Sequence, residues 1–147
     1  MPDAAHILPG RDPSDVLSVL ARCDAGRLKA FAEPLIADMG EIEVIENRTG
    51  LVMLPMRDTA KGTHFHLGEV LMSEAHISAD GVVGYGMRRG RDLEAAMAMA
   101  VVDAAIAAGL SPQNCEAFIA REAGDLAQRD DETLRAVEAT RVDMETF

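Results

Sequence analysis

Apolar positions recur at helical spacing through the first forty residues. Asp12-Pro13 reads as an N-cap followed by proline at the first helical position, and Val16, Leu17, Leu20 and Ala21 then mark one helical face as far as Cys23. Asp24-Ala25-Gly26 interrupts it. A second helix is predicted over 26–38, with Leu28, Phe31, Leu35 and Ile36 as its apolar face; Pro34 is expected to kink it or mark a new start, and Gly40 to end it. The period then shortens. Ile42, Val44 and Ile45 sit among acids, and Asn47-Arg48-Thr49-Gly50 carries a turn signal. Residues 51–56 form a compact apolar run ended by Pro55 and the polar stretch 57–62. A long strand follows over 64–78. Phe65 and Leu67 share a face there, Leu71, Ala75 and Ile77 keep phase with them, and Gly68 is able to host a bulge. Asp80-Gly81 is a strong hairpin signal, with 82–87 as the return strand.

Asp92 is placed to cap the next helix. Between 93 and 110 only Glu94 and Asp103 are charged. A helix apolar nearly all round is expected to be buried nearly all round, and one small sheet covers only one side of it, so the pattern predicts a further covering. Gly109 ends this helix and Ser111-Pro112 starts another by the same cap logic. From 121 to 145, twelve of 25 residues are charged, and the apolar anchors (Leu126, Leu134, Val137, Val142, Met144, Phe147) are widely spaced. Such a segment builds no core of its own and is expected to lie along its own domain or a partner. The predicted class is α+β: N-terminal helices, a small antiparallel four-stranded sheet, a long apolar helix and a C-terminal helical arm. The expected organisation is a loose leader over 1–11 and a single domain over 12–147, with 121–147 as the charged arm.

Composition narrows the function. The 147 residues are 48% hydrophobic, enough for a core, but carry a net charge of −11. That excess argues against nucleic acid and against docking on an anionic membrane. Cys23 and Cys115 are the only cysteines. They read as free thiols in a reducing cytosol, and the first residues show no secretory signal, so a cytoplasmic location is expected.

Against that acidity, residues 81–92 (G-V-V-G-Y-G-M-R-R-G-R-D) hold three arginines around Gly90. A dinucleotide fingerprint requires G-x-G-x-x-G within a βαβ unit. Here Arg89 stands where the third glycine belongs, and the preceding connection reads as a hairpin. Arg88, Arg89 and Arg91, with Asp92 opening the helix, can either hold an anionic group or serve subunit contacts, and the second reading is favoured. His64 and His66 lie on one face of a strand, with Glu69 and His76 near in sequence. They are weak candidates for a metal site in a hydrolase, without a third ligand at a telling spacing. No nucleophile motif is present. The residues favour an interaction subunit over a self-contained enzyme, and the apolar helix makes self-association of the isolated chain an expectation.

An ordered set of short stretches carries a resemblance. These are Leu20-Ala21-Arg22-Cys23, Gly50-Leu51-Val52-Met53 ahead of Arg57, Gly68-Glu69-Val70-Leu71 and Gly84-Tyr85-Gly86. Gly90-Arg91-Asp92 follows, then Val102-Asp103-Ala104 and Thr140-Arg141-Val142-Asp143. Over residues 15–145 this order resembles the PhnG subunit family of the bacterial carbon–phosphorus lyase system. The resemblance implies a core complex with the H, I and J subunits, bound most intimately to I. It also implies a part, with H, I and the L protein, in moving the ribose triphosphate of ATP onto an alkylphosphonate with release of adenine. It leaves the radical and iron–sulfur chemistry to J and implies no cofactor bound by this chain alone. It carries over no catalytic residue. Gly68, Glu69, Gly84, Tyr85, Gly90, Arg91, Asp92, Arg141 and Asp143 match the family pattern without an assigned role. The alternative is a stand-alone anion- or nucleotide-binding module using Arg88, Arg89, Arg91 and Asp92.

Overall fold

The computed structural model describes residues 8–142. Its order is α1 (Pro13–Arg22), α2 (Ala25–Asp38), β1 (Ile42–Arg57), β2 (His64–Ala79), β3 (Val82–Arg89), α3 (Leu93–Ala107) and α4 (Pro112–Ala139). The helices form where capping chemistry is written in the sequence. Asp12 Oδ1 accepts from the Ser14 N–H at 2.8 Å, Asp24 Oδ1 from the Arg27 N–H at 2.8 Å, and Asp92 Oδ1 from the Ala95 N–H at 3.0 Å. α2 runs through Pro34 as one element, and Gly40, at φ +73°, follows its end. α4 starts at Pro112 as expected, but Ser111 makes no side-chain cap bond and sits at φ +43°. Of the expected leader, residues 8–11 are described: Leu8 is buried, and Arg11 Nε bonds Glu116 Oε1 at 2.8 Å.

The class is α+β, but the sheet has three strands, ordered β1-β2-β3 and antiparallel throughout, not four. The segment Asn47–Gly50, expected to turn, lies inside β1. Asn47, Arg48, Thr49 and Gly50 pair in register with Ala75, Glu74, Ser73 and Met72 of β2. Arg48 fixes that register, its Nε reaching Glu74 Oε2 at 3.1 Å across the strands. A local turn preference, worth tenths of a kcal/mol, gives way to a ladder of cross-strand pairs. The pairing shifts by one residue at Ile45 and again at Leu67, next to Gly68. The second shift reverses the phase of β2, so Phe65, opposite Met56, faces away from the side that Leu71 shares with Leu51. The hairpin at Asp80-Gly81 forms as expected, with φ of +48° and +83° at its two central residues.

Helices cover one face of this sheet. Ser73, Ala75, Ile77 and Ala79 of β2 point into the core, as do Gly84 and Gly86 of β3. A Cβ at Gly84 would overlap the Ala100 carbonyl oxygen, and one at Gly86 that of Ala96, so β3 lies directly on the backbone of α3. The expected burial of α3 on nearly every side holds, yet its covering comes from this chain. Residues Ala95, Ala96, Ala98–Val102, Ala104 and Ala105 are buried among β3, β2, α2 and the ends of α1 and α4. Phe31 of α2 stacks on Phe118 of α4 with ring centroids 4.2 Å apart. The carboxylate of Glu122, fully buried, receives two bonds from Arg27, at 2.7 and 2.8 Å. That pairing holds the Glu122 carboxyl below the usual carboxylate range despite its burial. Cys23 and Cys115 are both free and buried.

Two elements leave this body. Residues 127–142 are all exposed, and beyond the Arg22–Asp130 bond the end of α4 stands clear of the core. So does the outer half of the β1–β2 hairpin. Its loop is well knit: Asp58 accepts from the Ala60 and Lys61 amides, and Asp58 N–H reaches Thr63 O at 2.9 Å.

Candidate functional site

Residues 81–92 form a strand-to-helix joint, and the structure separates their charges into different jobs. Arg88 turns beneath the sheet to the C-terminal end of α1. Its guanidinium donates to the Leu20 carbonyl and, at 2.6 Å, to the Cys23 carbonyl. A cation there satisfies carbonyls that the helix leaves open and suits the helix dipole. Burial pushes the Cys23 thiol up, with Arg88 pulling the other way. Asp92 caps α3 and pairs with Lys29 of α2 at 2.9 Å, which holds its carboxyl low. Gly90, at φ +103°, donates its N–H to Leu71 O at 2.8 Å and accepts from Ser73 Oγ at 2.7 Å.

Arg89 has a different environment. With Arg22, Arg88 and Arg129 it lines a cleft of about 540 Å³ between α1, α4 and the β2–β3 edge. Met72, Met87 and Leu126 supply its apolar wall, and Asp130, already bonded to Arg22 at 2.7 Å, is its one acid. Neither Arg89 nor Arg129 makes an ion pair with a described residue. Arg91 lies outside the cleft. The sequence cluster is therefore split, and Arg22 and Arg129, which no local motif connects to it, join Arg89 only through the fold.

The remaining pattern residues fall at separate places. Tyr85 stands on the open face of the sheet, where its hydroxyl donates to Glu74 Oε1 at 3.1 Å. Arg48, first, and then Tyr85 keep the Glu74 carboxyl low. The Tyr85 N–H, on the free edge of β3, donates to Asp103 Oδ2 at 2.9 Å, and burial pushes that carboxyl up. Gly68 and Glu69 sit midway along the protruding hairpin, opposite Leu54 and Met53. Arg141, at the end of α4, pairs with Glu138 at 3.2 Å. Asp143 lies outside the described residues. His64 and His66 stand near the hairpin tip, opposite Arg57 and Pro55. Among the described residues no three ligand-type side chains cluster where a metal would sit.

What sequence reasoning missed is the protruding hairpin itself. Leu51, Val52, Met53, Leu54 and Met56 of β1, and Phe65, Leu67 and Leu71 of β2, are each 40–63% exposed. The signal was present: consecutive apolar residues in a strand make both faces apolar, and among the described residues no second layer covers the outer one. Among the described residues no helix is long and apolar enough to cross a membrane.

These features define an acidic two-layer α+β protein from which an apolar β-ribbon protrudes. The pattern of the family described as "Phosphonate metabolism protein PhnG" matches residues 12–147. The "Alpha-D-ribose 1-methylphosphonate 5-triphosphate synthase subunit PhnG" of Rhizobium meliloti (strain 1021) is 32% identical over 133 residues, covering 89% of this chain and 85% of that protein. The "Putative C-P lyase subunit protein HtxH" of Stutzerimonas stutzeri is 31% identical over 110 residues, covering 66% of this chain but 30% of that longer protein. The chain belongs to the PhnG family of phosphonate metabolism.

Proposed function

We propose that this chain is an assembly subunit of a carbon–phosphorus lyase core complex, without a catalytic centre or cofactor of its own. It acts in the cytoplasm with the H, I and L proteins in transferring the ribose triphosphate of ATP to an alkylphosphonate with release of adenine. Its most intimate partner is the I subunit, with H and J also in contact. The observation that carries the reading is the ribbon: eight large apolar side chains on one protrusion exceed what a solitary soluble protein normally leaves in water. The relatives named as subunits of such systems support it. Co-expression with the cognate I subunit tests it. A stable heteromeric complex is expected, and a chain that stays monomeric and fails to co-purify with I overturns it.

A second reading has its own support in the arginine cleft, which gathers four of the chain's fourteen basic residues and one of its twenty-five acids. Guanidinium groups match phosphate oxygens, and the volume suits a small ligand. As an anion-binding module, the chain binds ATP in calorimetry, and Arg89→Ala with Arg129→Ala abolishes the heat while Arg91→Ala does not. Absence of heat from the unaltered chain ends this reading.

A further inference from the structure

Seven cross-strand pairs, from Leu51–Leu71 out to Arg57–His64, lie beyond the last β2–β3 pair, Met72–Arg89. Over that length the sheet is a two-stranded ribbon, marginal in water by itself. Pairing sorts its side chains. Leu51, Leu71 and Met53 continue the helix-covered face, whereas Val52, Leu54 and Met56 continue the open face and are joined there by Phe65. Both faces therefore carry large apolar side chains, the helix-side one interrupted by Glu69 opposite Met53. A flat partner surface would cover one face and leave the other wet. Eight side chains about half exposed present roughly 700 Å², close to the ~800 Å² that one partner contributes to a standard interface.

We propose that the ribbon is a plug: another protein subunit encloses it in a slot that is apolar on both walls and acidic at its far end. The proposal rests on the assembly reading above and adds the chemistry of the partner. Residues 57–66 carry Arg57, Lys61, His64 and His66 against the single acid Asp58, whose carboxylate is already held by two amides of its own loop. A basic tip carried into a slot by its apolar stem needs anionic partners, because a buried unpaired cation is costly. Two copies of this chain each carry a net charge of −11, so their bodies repel at long range, and a ribbon-dependent homodimer is an outcome of the test. Two concavities lie toward the body from the ribbon. One of about 380 Å³ is at the root itself, where Leu51, Val52, Met72 and Met87 line it with Arg48 and Glu74; the other, of about 520 Å³, meets β1 at Asn47 and is lined by Ile36, Leu93 and Met97 with Lys29, Glu33 and Glu94. Walls of one slot can run on into both.

The test measures affinity of the full chain for the cognate I subunit by biolayer interferometry. Three double variants are compared: Leu51→Thr/Met53→Thr on one face, Val52→Thr/Leu54→Thr on the other, and Arg57→Glu/Lys61→Glu at the tip. Threonine keeps strand propensity, and circular dichroism with the thermal midpoint verifies that the body stays folded. Each face variant is expected to weaken binding at least tenfold, and the tip reversal about tenfold at low salt and less at high salt. Loss confined to one face overturns the plug, as does a ribbon-dependent homodimer. If all three variants bind I like the parent, the plug fails while the assembly reading stands; if the parent does not bind I, both fail.

Discussion

The inner and outer halves of the same two strands make opposite use of their side chains. Inside, β2 presents Ser73, Ala75, Ile77 and Ala79 to α3, and β3 offers glycines so that backbone meets backbone. Outside, β1 and β2 leave leucines, methionines, valines and a phenylalanine exposed among the described residues. Size runs opposite to burial. The small residues make the core because two layers approach closely there, whereas the large ones extend where no layer lies over them. Folding free energy should therefore reside in the inner half and binding free energy in the outer, and this division can be broken experimentally.

The largest effect is expected where the inner half has no slack. Gly86→Val drives a Cβ into the Ala96 carbonyl and should cost about 3 kcal/mol or more, at the upper end of overpacking, read as a fall in the urea midpoint. Next is Glu122→Ala, which leaves Arg27 only its 3.0 Å pair with Asp125 at the α2–α4 contact. Removing one partner of a buried pair costs 3–5 kcal/mol at most; Arg27 can turn partly to water, so about 2 kcal/mol is expected. The sign with pH follows from the depressed carboxyl. Its contribution is present at neutral pH and above the ordinary glutamate value. It is lost as pH falls through the lowered folded value, so the difference between the parent and Glu122→Ala should narrow in acid urea titrations. Arg88→Met leaves two carbonyls at the end of α1 without their cation and should cost about 1–2 kcal/mol. Last, Leu54→Thr in the outer half should move the midpoint by less than about 0.5 kcal/mol. A ribbon variant that destabilises as much as Gly86→Val would erase the distinction between the two halves.

Much of this was legible in the chain. The caps at Asp12, Asp24 and Asp92 and the Asp80-Gly81 turn act locally, through one side chain and the next few amides, and local chemistry reads directly from sequence. Family membership was legible too, through ordered short matches. The signal at Asn47–Gly50 misled, because a turn and a strand compete for the same residues and the winner is set by β2, some 26 residues away at the Arg48–Glu74 pair. The uncovered surface was placed on α3, whose apolar faces were seen correctly while their covering by α2, α1 and α4 was not. That covering depends on tertiary arrangement, which helical periodicity does not encode. The arginines show the same limit. Arg88, Arg89 and Arg91 are neighbours in sequence, yet one caps a helix, one enters a cleft and one lies outside it.

Cys23 and Cys115 give the molecule a clock. Each thiol is buried and donates to a carbonyl of its own neighbourhood, Leu20 O and Leu110 O, both at 3.5 Å, and Cys23 Sγ also accepts from the Arg88 guanidinium at 3.7 Å. Burial raises both above the ordinary thiol range, so neither presents thiolate while the body is closed. One thiol reports the seam where Arg88 joins α1 to β3, the other the start of α4. Their alkylation rates therefore time how often each seam opens. A bound partner that stiffens the body through the ribbon root will slow both clocks, whereas one that grips the ribbon alone will leave them running at the rate of the free chain.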